Sequence, residues 1–537
     1  MNYAHAFDWQ AGYPSRRSPL FARNVVSTSH PLAAQAGLQM LRLGGNAVDA
    51  AIAAAACMTL VEPCSNGLGS DAFCILWDGQ RLHGLNASGP APAAWTPEHF
   101  GGQAMPRRGW ASVTVPGAVG GWAALSQRFG KLPFADLMQP AIEIAERGYA
   151  VPPIVQGKWA LAAGLSELSS QPGFAEAFLP HGRAPAVGEL FRFEAAARSL
   201  RLIGASNGEA FYRGEIAQAL ARFARDTGGA LTEADLAGYQ PEWVAPLAKD
   251  FAGHTLHEIP PSGQGIAAQM ALGLLEHCGV TAHAVDSPEA QHLMIEAMKL
   301  AFADVYRHVA EPTAMTVSPA QLLDAGYLAD RARLIDPRRA QVFGAGNPVK
   351  GGTIYLTAAD ESGMMVSFIQ SNYMGFGSGL VLPGYGISLQ NRGHCFTLEP
   401  GHPNQVAPGK RPFHTIIPAF LTKDGQPVMS FGVMGGNMQP QGHMQTLVRM
   451  LCYGQNPQAA CDGPRWRFNE GLSINVEAHM PVATIAALRA WGHEIGDIHD
   501  SYQDFGAGQF IWRLGDPGSQ GYVAASDPRR DGAAVGW

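Results

Sequence analysis

Residues 338–352 read RRAQVFGAGNPVKGG and residues 353–372 read TIYLTAADESGMMVSFIQSN; the change of texture between Gly352 and Thr353 decides how the rest of the chain is read. The first stretch is polar and glycine-bearing with no apolar period, as a flexible connector should be. The second contains two apolar-rich runs joined by a polar turn, which predicts a pair of strands. A threonine that opens a strand is ordinarily structural. At this junction, however, breakage of the Gly352-Thr353 bond leaves a free amine and a hydroxyl together on a rigid element.

A chain-starting threonine carries out acyl transfer without a distant histidine. Its hydroxyl attacks a carbonyl while its α-amine, of reference pKa ~7.7–8.0, accepts the proton near neutral pH. Gly352 suits the preceding self-cleavage, because a residue without Cβ adopts the strained geometry in which Thr353 Oγ reaches its carbonyl.

Outward from this junction the two halves differ. Residues 29–60, SHPLAAQAGLQMLRLGGNAVDAAIAAAACMTL, predict two Ala/Leu-rich helices around a break at Gly44-Gly45-Asn46. FCILWDGQRLHGL (73–85) predicts a hairpin turning at Asp78-Gly79. FADLMQPAIEIAERG (134–148) and HLMIEAMKLAFADVYRHV (292–309) make the middle the most helical part. After the connector, FLTKDGQPVMSFG (420–432) repeats the hairpin pattern at Asp424-Gly425, and further helix is expected near MQTLVRMLCYG (444–454). Helices before, strands after and helix again predict sheets covered by helices.

With 537 residues, 47% of them hydrophobic and 15% charged, the chain can bury a large core. The net charge of -7, without a Lys/Arg run, leaves no footprint for nucleic acid or an anionic membrane. The opening residues carry Asp8 and other polar groups where a secretory signal has an apolar run, so cytoplasmic residence is expected. Ala50–Leu60 is too short to span a bilayer and reads as a buried helix. Seven cysteines without a CxxC pair read as reduced, mostly buried thiols.

FGVMGGNMQPQGH (431–443) places Gly435-Gly436 directly after a strand, where backbone N–H groups can face an oxyanion, although a plain turn is the commoner use of such a pair. The glycines near Gly69 and the Pro260-Pro261-Ser262-Gly263 run lack the ending of a phosphate loop. No HExxH pair occurs, and no metal or other cofactor is expected.

These segments carry a resemblance. SHPLAAQAGLQMLRLGGNAVDAAIAAA, VEPCSNGLGSDAF, VPGAVGGW, LMQPAIEIAERG, PPSGQGIAAQM, EAMKLAFAD, GFGSGLVLPGYGI, APGKRP and the Pro-Arg pair of DGPRWRF occur in order along nearly the whole chain, which resembles the γ-glutamyltransferases of the N-terminal-nucleophile hydrolase superfamily. The resemblance implies an α/β (α+β) fold, a four-layer αββα sandwich of mostly antiparallel sheets. It also implies self-cleavage before Thr353, into a large subunit of residues 1–352 and a small one of 353–537 that remain one unit. Ser371 matches the family's second threonine, which contacts the nucleophile's hydroxyl, and serine keeps the oxygen donor and acceptor. Gly435 and Gly436 fall at the family's oxyanion-hole glycines.

The substrate positions depart from the family pattern. Ser88, in LNASGPAP, stands where an arginine grips the glutamyl α-carboxylate, which removes a bidentate clamp. His394 aligns with the acidic residue for the glutamyl α-amine, Tyr373 with an asparagine near the nucleophile, and His414-Thr415 with paired serines. Each lost charge-assisted bond is worth about 1.5–3 kcal/mol, so the changes together weaken glutamyl binding by orders of magnitude. Arg392 is a replacement cation for a carboxylate arriving from another direction, or else a solvated surface arginine. The pattern is similar to the bacterial γ-glutamyltransferase-like subgroup related to cephalosporin acylases and oxamate amidohydrolase.

The expected activity is hydrolysis of a small amide by an N-terminal threonine, with hydrolysis ahead of transpeptidation. A γ-glutamyltransferase or glutathione hydrolase is one alternative and an uncleaved, non-enzymatic binding relative another. A homo-oligomer is compatible with each.

Overall fold

The computed structural model describes residues 17–102, 104–343, 352–496 and 504–537. Most of the connector and the polar opening residues lie outside these. The first helical pair forms as Pro31–Arg42 and Ala47–Val61. Asn46 starts the second helix by accepting the N–H groups of Val48 and Asp49, while Asp49 returns a bond to Asn46 N, a capping box that satisfies orphan donors at a buried helix end. Every residue of Ala47–Val61 is buried. Small side chains allow this helix to lie closely between its partner helix and a sheet.

Seven strands form the sheet under this helix, in the order Ala533–Gly536, Val25–Thr28, Gly352–Ala359, Met365–Tyr373, Asp71–Trp77, Leu82–Ala87 and Glu242–Val244. A second seven-stranded sheet runs Leu20–Ala22, Tyr522–Ser526, Ala507–Arg513, Gln426–Met434, Ala419–Lys423, His254–Glu258 and Leu247–Phe251. All pairings in both sheets are antiparallel.

The sheets share a dry middle layer containing Phe73, Ile75, Tyr355, Ile369, Ile416, Phe420, Met434 and Ile511. Its hydroxyls pair across the gap: Thr357 Oγ1 lies 2.6 Å from Ser430 Oγ, and Ser27 Oγ donates to Gln509 Oε1 at 2.6 Å. Such groups are costly to bury unpaired, so these contacts also fix how the sheets face each other. Outside, Pro31–Arg42, Ala47–Val61 and Ala118–Phe129 cover the first sheet, and Phe134–Arg147 packs against Ala47–Val61. Ile266–Leu275 and Met438–Leu447 cover the second, and Pro288–His308 packs against Ile266–Leu275. The architecture is the αββα sandwich.

Both hairpin turns fall where expected. Asp78 Oδ1 accepts from the N–H groups of Gln80 and Arg81, and Asp424-Gly425 has positive φ at both residues, the mirror-image turn that matches strand twist. The three short strands between 242 and 258 lie inside the stretch read as helical; their few half-buried residues carry too little alternation to show. No helix among the described residues is long and apolar enough to cross a membrane. All seven cysteines are free: Cys57, Cys64, Cys74 and Cys461 are buried, and Cys278, Cys395 and Cys452 partly so.

Candidate active site

Thr353 enters the central strand pair at an irregularity. Gly352 pairs with Tyr373 and Ile354 with Gln370, so two residues, Ser371 and Asn372, oppose Thr353 alone. A bulge of this kind bends the strand and re-aims a side chain. Thr353 Oγ1 lies 3.1 Å from Ser371 Oγ, and Ser371 Oγ accepts the N–H of Tyr373 at 2.8 Å. Thr353 is 1% exposed and Ser371 is fully buried.

Two further groups reach Thr353. Gln439 Nε2 donates to its Oγ1 at 3.4 Å, and Arg530 Nη2 to its carbonyl oxygen at 3.4 Å. Arg530 also bonds Met434 Sδ at 3.0 Å and Glu62 Oε1 at 2.7 Å. Glu62 closes the buried helix Ala47–Val61 and accepts from Ser29 and Ser65 as well. The helix is thereby tied to Thr353 at the start of the central strand.

Met434 ends its strand at Gly435 and Gly436, whose φ values are 126° and 61°. At Gly435 a Cβ would stand 3.0 Å from Gly506 Cα, so both conformation and space require glycine. Neither glycine's N–H has an acceptor among the described residues. The helix Met438–Leu447 begins immediately after, which adds its positive end to the same region. Gln264 Nε2 donates to Gly436 O at 2.9 Å and Thr415 O at 2.5 Å, holding the glycine turn against the 412–418 segment.

Thr415 leads to Arg392. Its Oγ1 accepts from Arg392 Nη1 at 2.8 Å, and the guanidinium carbon lies 4.5 Å from the centre of the Tyr373 ring. Arg392 is 0% exposed, which discards the solvated-surface reading. Its Nη2 has no acceptor among the described residues, and its Nε lies 3.8 Å from Asp71 Oδ2. His414 Nδ1 accepts the N–H of Ile416, so its Nε2 carries the hydrogen that meets Asp71 Oδ2 at 3.1 Å. Burial, reinforced by Arg392, holds His414 far below the usual imidazole range. Burial pushes the Asp71 carboxyl up to about 7, against the pull of Arg392.

The remaining predicted contacts stand less close to this chain of bonds. Ser88 is buried, but its hydroxyl donates to Asn86 Oδ1 at 2.8 Å. His394 is half-buried, hydrogen-bonds Met105 O through Nδ1 at 2.9 Å, and has its pKa lowered by burial. Its ring centre lies 6.3 Å from that of Tyr373.

His292, Glu296 and His493 also lie close enough together to be considered as metal ligands. Here Lys299 Nζ already sits 2.7 Å from Glu296 Oε1, and the two imidazoles hydrogen-bond at 2.8 Å. With His292 Nε2 on Asp336 O and Gln341 N on Glu296 Oε2, the group reads as a knot that fastens the start of the connector to the helix Pro288–His308.

Comparison with known proteins bears on this geometry. Residues 33–537 match the family model described as gamma-glutamyltranspeptidase. The chain belongs to that family. It is 36% identical to the oxamate amidohydrolase proenzyme of Klebsiella pneumoniae, over 97% of this chain and 99% of that one. To the glutathione hydrolase-like YwrD proenzyme of Bacillus subtilis it is 34% identical, again over 97% and 99%. The crystal structure of cephalosporin acylase from Bacillus halodurans superposes with a TM-score of 0.93 at 48% identity, covering 99% of both chains. Membership of a family of hydrolases and acyltransferases, along nearly the whole length, makes the chain an enzyme of that kind.

Sequence reasoning missed four buried groups of the site: Asp71, Gln264, Gln439 and Arg530. Asp71 and Gln264 lie within or directly after the glycine and proline stretches tested for phosphate-loop endings, in segments that carry the resemblance without being read as site residues, and Gln439 follows the glycine pair by three residues. A polar residue flanked by apolar and glycine residues is a signal of burial, but not of what it faces.

Proposed function

We propose that the chain is a self-processing amide hydrolase whose nucleophile is Thr353, and that it acts on small amides whose acyl part carries a carboxylate. The single observation that carries the first half is the pair of hydroxyls, Thr353 Oγ1 and Ser371 Oγ, 3.1 Å apart at a strand bulge. In processing, Thr353 Oγ attacks the carbonyl carbon of Gly352 and the peptide nitrogen leaves as the Thr353 amine; water then opens the resulting ester. The products are residues 1–352 and 353–537. In turnover the same oxygen attacks the substrate carbonyl and the α-amine takes its proton. Gly435 and Gly436 N–H groups offset the oxyanion, and the proton passes to the leaving amine. Water, activated by the amine, releases the acid. Removing one such oxyanion donor typically costs about 10²–10³ in kcat. The two names ending in proenzyme support a processed chain.

The carboxylate requirement is supported by Arg392. A fully buried guanidinium whose Nη2 meets no acceptor among the described residues, already steadied by Thr415 and Tyr373, favours an anionic partner, and a charge-assisted pair there fixes the acyl group. Both γ-glutamyl amides and short dicarboxylic monoamides meet this requirement. The resemblance to a glutathione hydrolase-like protein favours the first. The engaged hydroxyl of Ser88 and a neutral His394, where the family has an arginine and an acid, favour the second.

The test is denaturing electrophoresis with N-terminal sequencing, followed by assays on γ-glutamyl p-nitroanilide, oxamate and glutaryl amides. A single band at 57.0 kDa refutes the self-processing reading. Turnover of neutral amides with kcat/KM equal to that of the carboxylate-bearing ones refutes the role of Arg392.

A further inference from the structure

Thr353 Oγ1 has, besides Ser371, a neighbour that neither the family pattern nor the sequence reading assigned. Gln439 lies on the first turn of the helix Met438–Leu447, three residues beyond Gly436, and is fully buried. Its amide orientation is settled by a second bond: Oε1 accepts the N–H of Ile417 at 2.8 Å. A flipped amide would set two donors against each other, so Nε2 is the end that faces Thr353 Oγ1 at 3.4 Å. The backbone N–H of Gln439 also bonds Gly436 O at 3.2 Å, which places side chain and glycine turn in one rigid frame.

Counting hydrogens gives this contact a direction. A threonine hydroxyl has one proton and two lone pairs. Gln439 occupies one lone pair. If Ser371 also donated, no lone pair would remain for attack; the productive arrangement therefore has Thr353 donating to Ser371 and keeping its last lone pair free. As that proton passes by way of Ser371 Oγ to the Thr353 nitrogen, which departs as an amine when the C–N bond breaks, the oxygen gains negative charge and the amide N–H faces it without a proton transfer of its own. The resting distance of 3.4 Å is long for an N–H···O bond. A contact that is slack at rest and tightens as charge develops lowers a barrier, whereas one equally tight in both states does not.

We infer that Gln439 is a catalytic residue for the cleavage of the Gly352-Thr353 bond, holding the Thr353 hydroxyl in its attacking orientation and stabilising it as it becomes an alkoxide. This rests on the reading of Thr353 as nucleophile. The same donor serves each later attack by Thr353 on substrate.

The experiment follows cleavage of freshly made precursor with time, by electrophoresis and by mass of the 353–537 fragment, between about pH 5 and pH 9. Gln439→Glu retains an acceptor for Ile417 but donates to Thr353 only while its carboxyl is protonated. Gln439→Met retains neither bond. The expected result is that Gln439→Met slows cleavage on the order of 10- to 100-fold at every pH. Gln439→Glu approaches the wild-type rate on the acid side of its carboxyl titration and falls to the Met level on the alkaline side. Rates for both variants within roughly twofold of wild type throughout overturn the inference, as does a Gln439→Glu deficit independent of pH. Circular dichroism in a Thr353→Ala background checks the fold; if Gln439→Glu does not fold, Gln439→Met decides alone by the same twofold criterion. If the wild type itself yields no fragment beginning at Thr353, the nucleophile reading fails. If it cleaves and the variants match it, only the role of Gln439 falls.

Discussion

Tyr373 stands directly opposite Gly352 across the central strand pair, so the residue on the carbonyl side of the proposed cut is the cross-strand neighbour of the ring beneath Arg392. Tyr373 takes a φ of 74°, a conformation that costs a non-glycine residue about 1–3 kcal/mol. One strand position therefore serves both the bulge that aims Thr353 and the cation that faces the substrate. Replacing Tyr373 with asparagine, which tolerates positive φ but leaves the space of a buried ring unfilled, is expected to lower the melting temperature and to raise KM for carboxylate-bearing amides; an unchanged KM argues against the stacking role.

Thr353→Ala is expected to abolish cleavage and to leave one chain of full length with the native fold, since the change removes only a hydroxyl and a methyl group. Thr353→Ser keeps the hydroxyl and should still cleave. Electrophoresis and thermal melting of both variants check this.

Ser371→Ala takes away the oxygen beside the nucleophile. A neutral hydrogen bond contributes about 0.5–1.5 kcal/mol, so cleavage and turnover should slow by roughly 2- to 12-fold, and Ser371→Thr should restore them. Time courses at one pH suffice.

Arg392→Met is expected to raise KM for carboxylate-bearing amides about 10- to 100-fold, the value of one charge-assisted bond of about 1.5–3 kcal/mol, with kcat changing less. Arg392→Lys should recover little, because an ammonium cannot reproduce the fork that meets both Thr415 and a carboxylate. Steady-state kinetics on charged and neutral substrates separate the effects.

Asp71 gives a signature in stability. Its carboxyl is raised to about 7 by burial, so the folded chain binds its proton more tightly than the unfolded chain does. The sign follows: this residue favours the fold most at acid pH, and that contribution is lost as pH rises from about 4 towards 7. In Asp71→Asn, chemical denaturation at several pH values should show a smaller decline of stability across that window. An unchanged slope would mean that Asp71 is ionised throughout.

The sandwich was legible because periodicity and turn chemistry agree: the Ala-rich hairpin, the two Asp-Gly turns and the strand pair after Thr353 all state local preferences that packing keeps. The short strands between 242 and 258 were not, since a strand of three to five half-buried residues is defined by its neighbours in the sheet. Within the site, Thr353 was singled out by the change of texture at Gly352-Thr353, whereas Ser371 was named only through the family resemblance. Arg392 was left between pocket and surface, because its burial depends on Tyr373, Thr415 and Asp71, the last more than 300 residues away. Gln439 was invisible for the same reason: its meaning lies in Ile417 and Thr353, brought to it by the second sheet and by the strand across the sandwich.

The Gly352–Ala359 strand has Val25–Thr28 on one side and the rest of its own hairpin on the other, which in turn is flanked by Asp71–Trp77. This interleaving sets an order of events in biosynthesis. If residues 1–352 and 353–537 were made as separate polypeptides, the first would have to hold open a slot two strands wide in the centre of a sheet, with bare edges that invite aggregation. On the proposed cut at Thr353, assembly comes first and scission second, so two independently expressed genes should give inclusion bodies where the single gene gives a nicked but undivided enzyme.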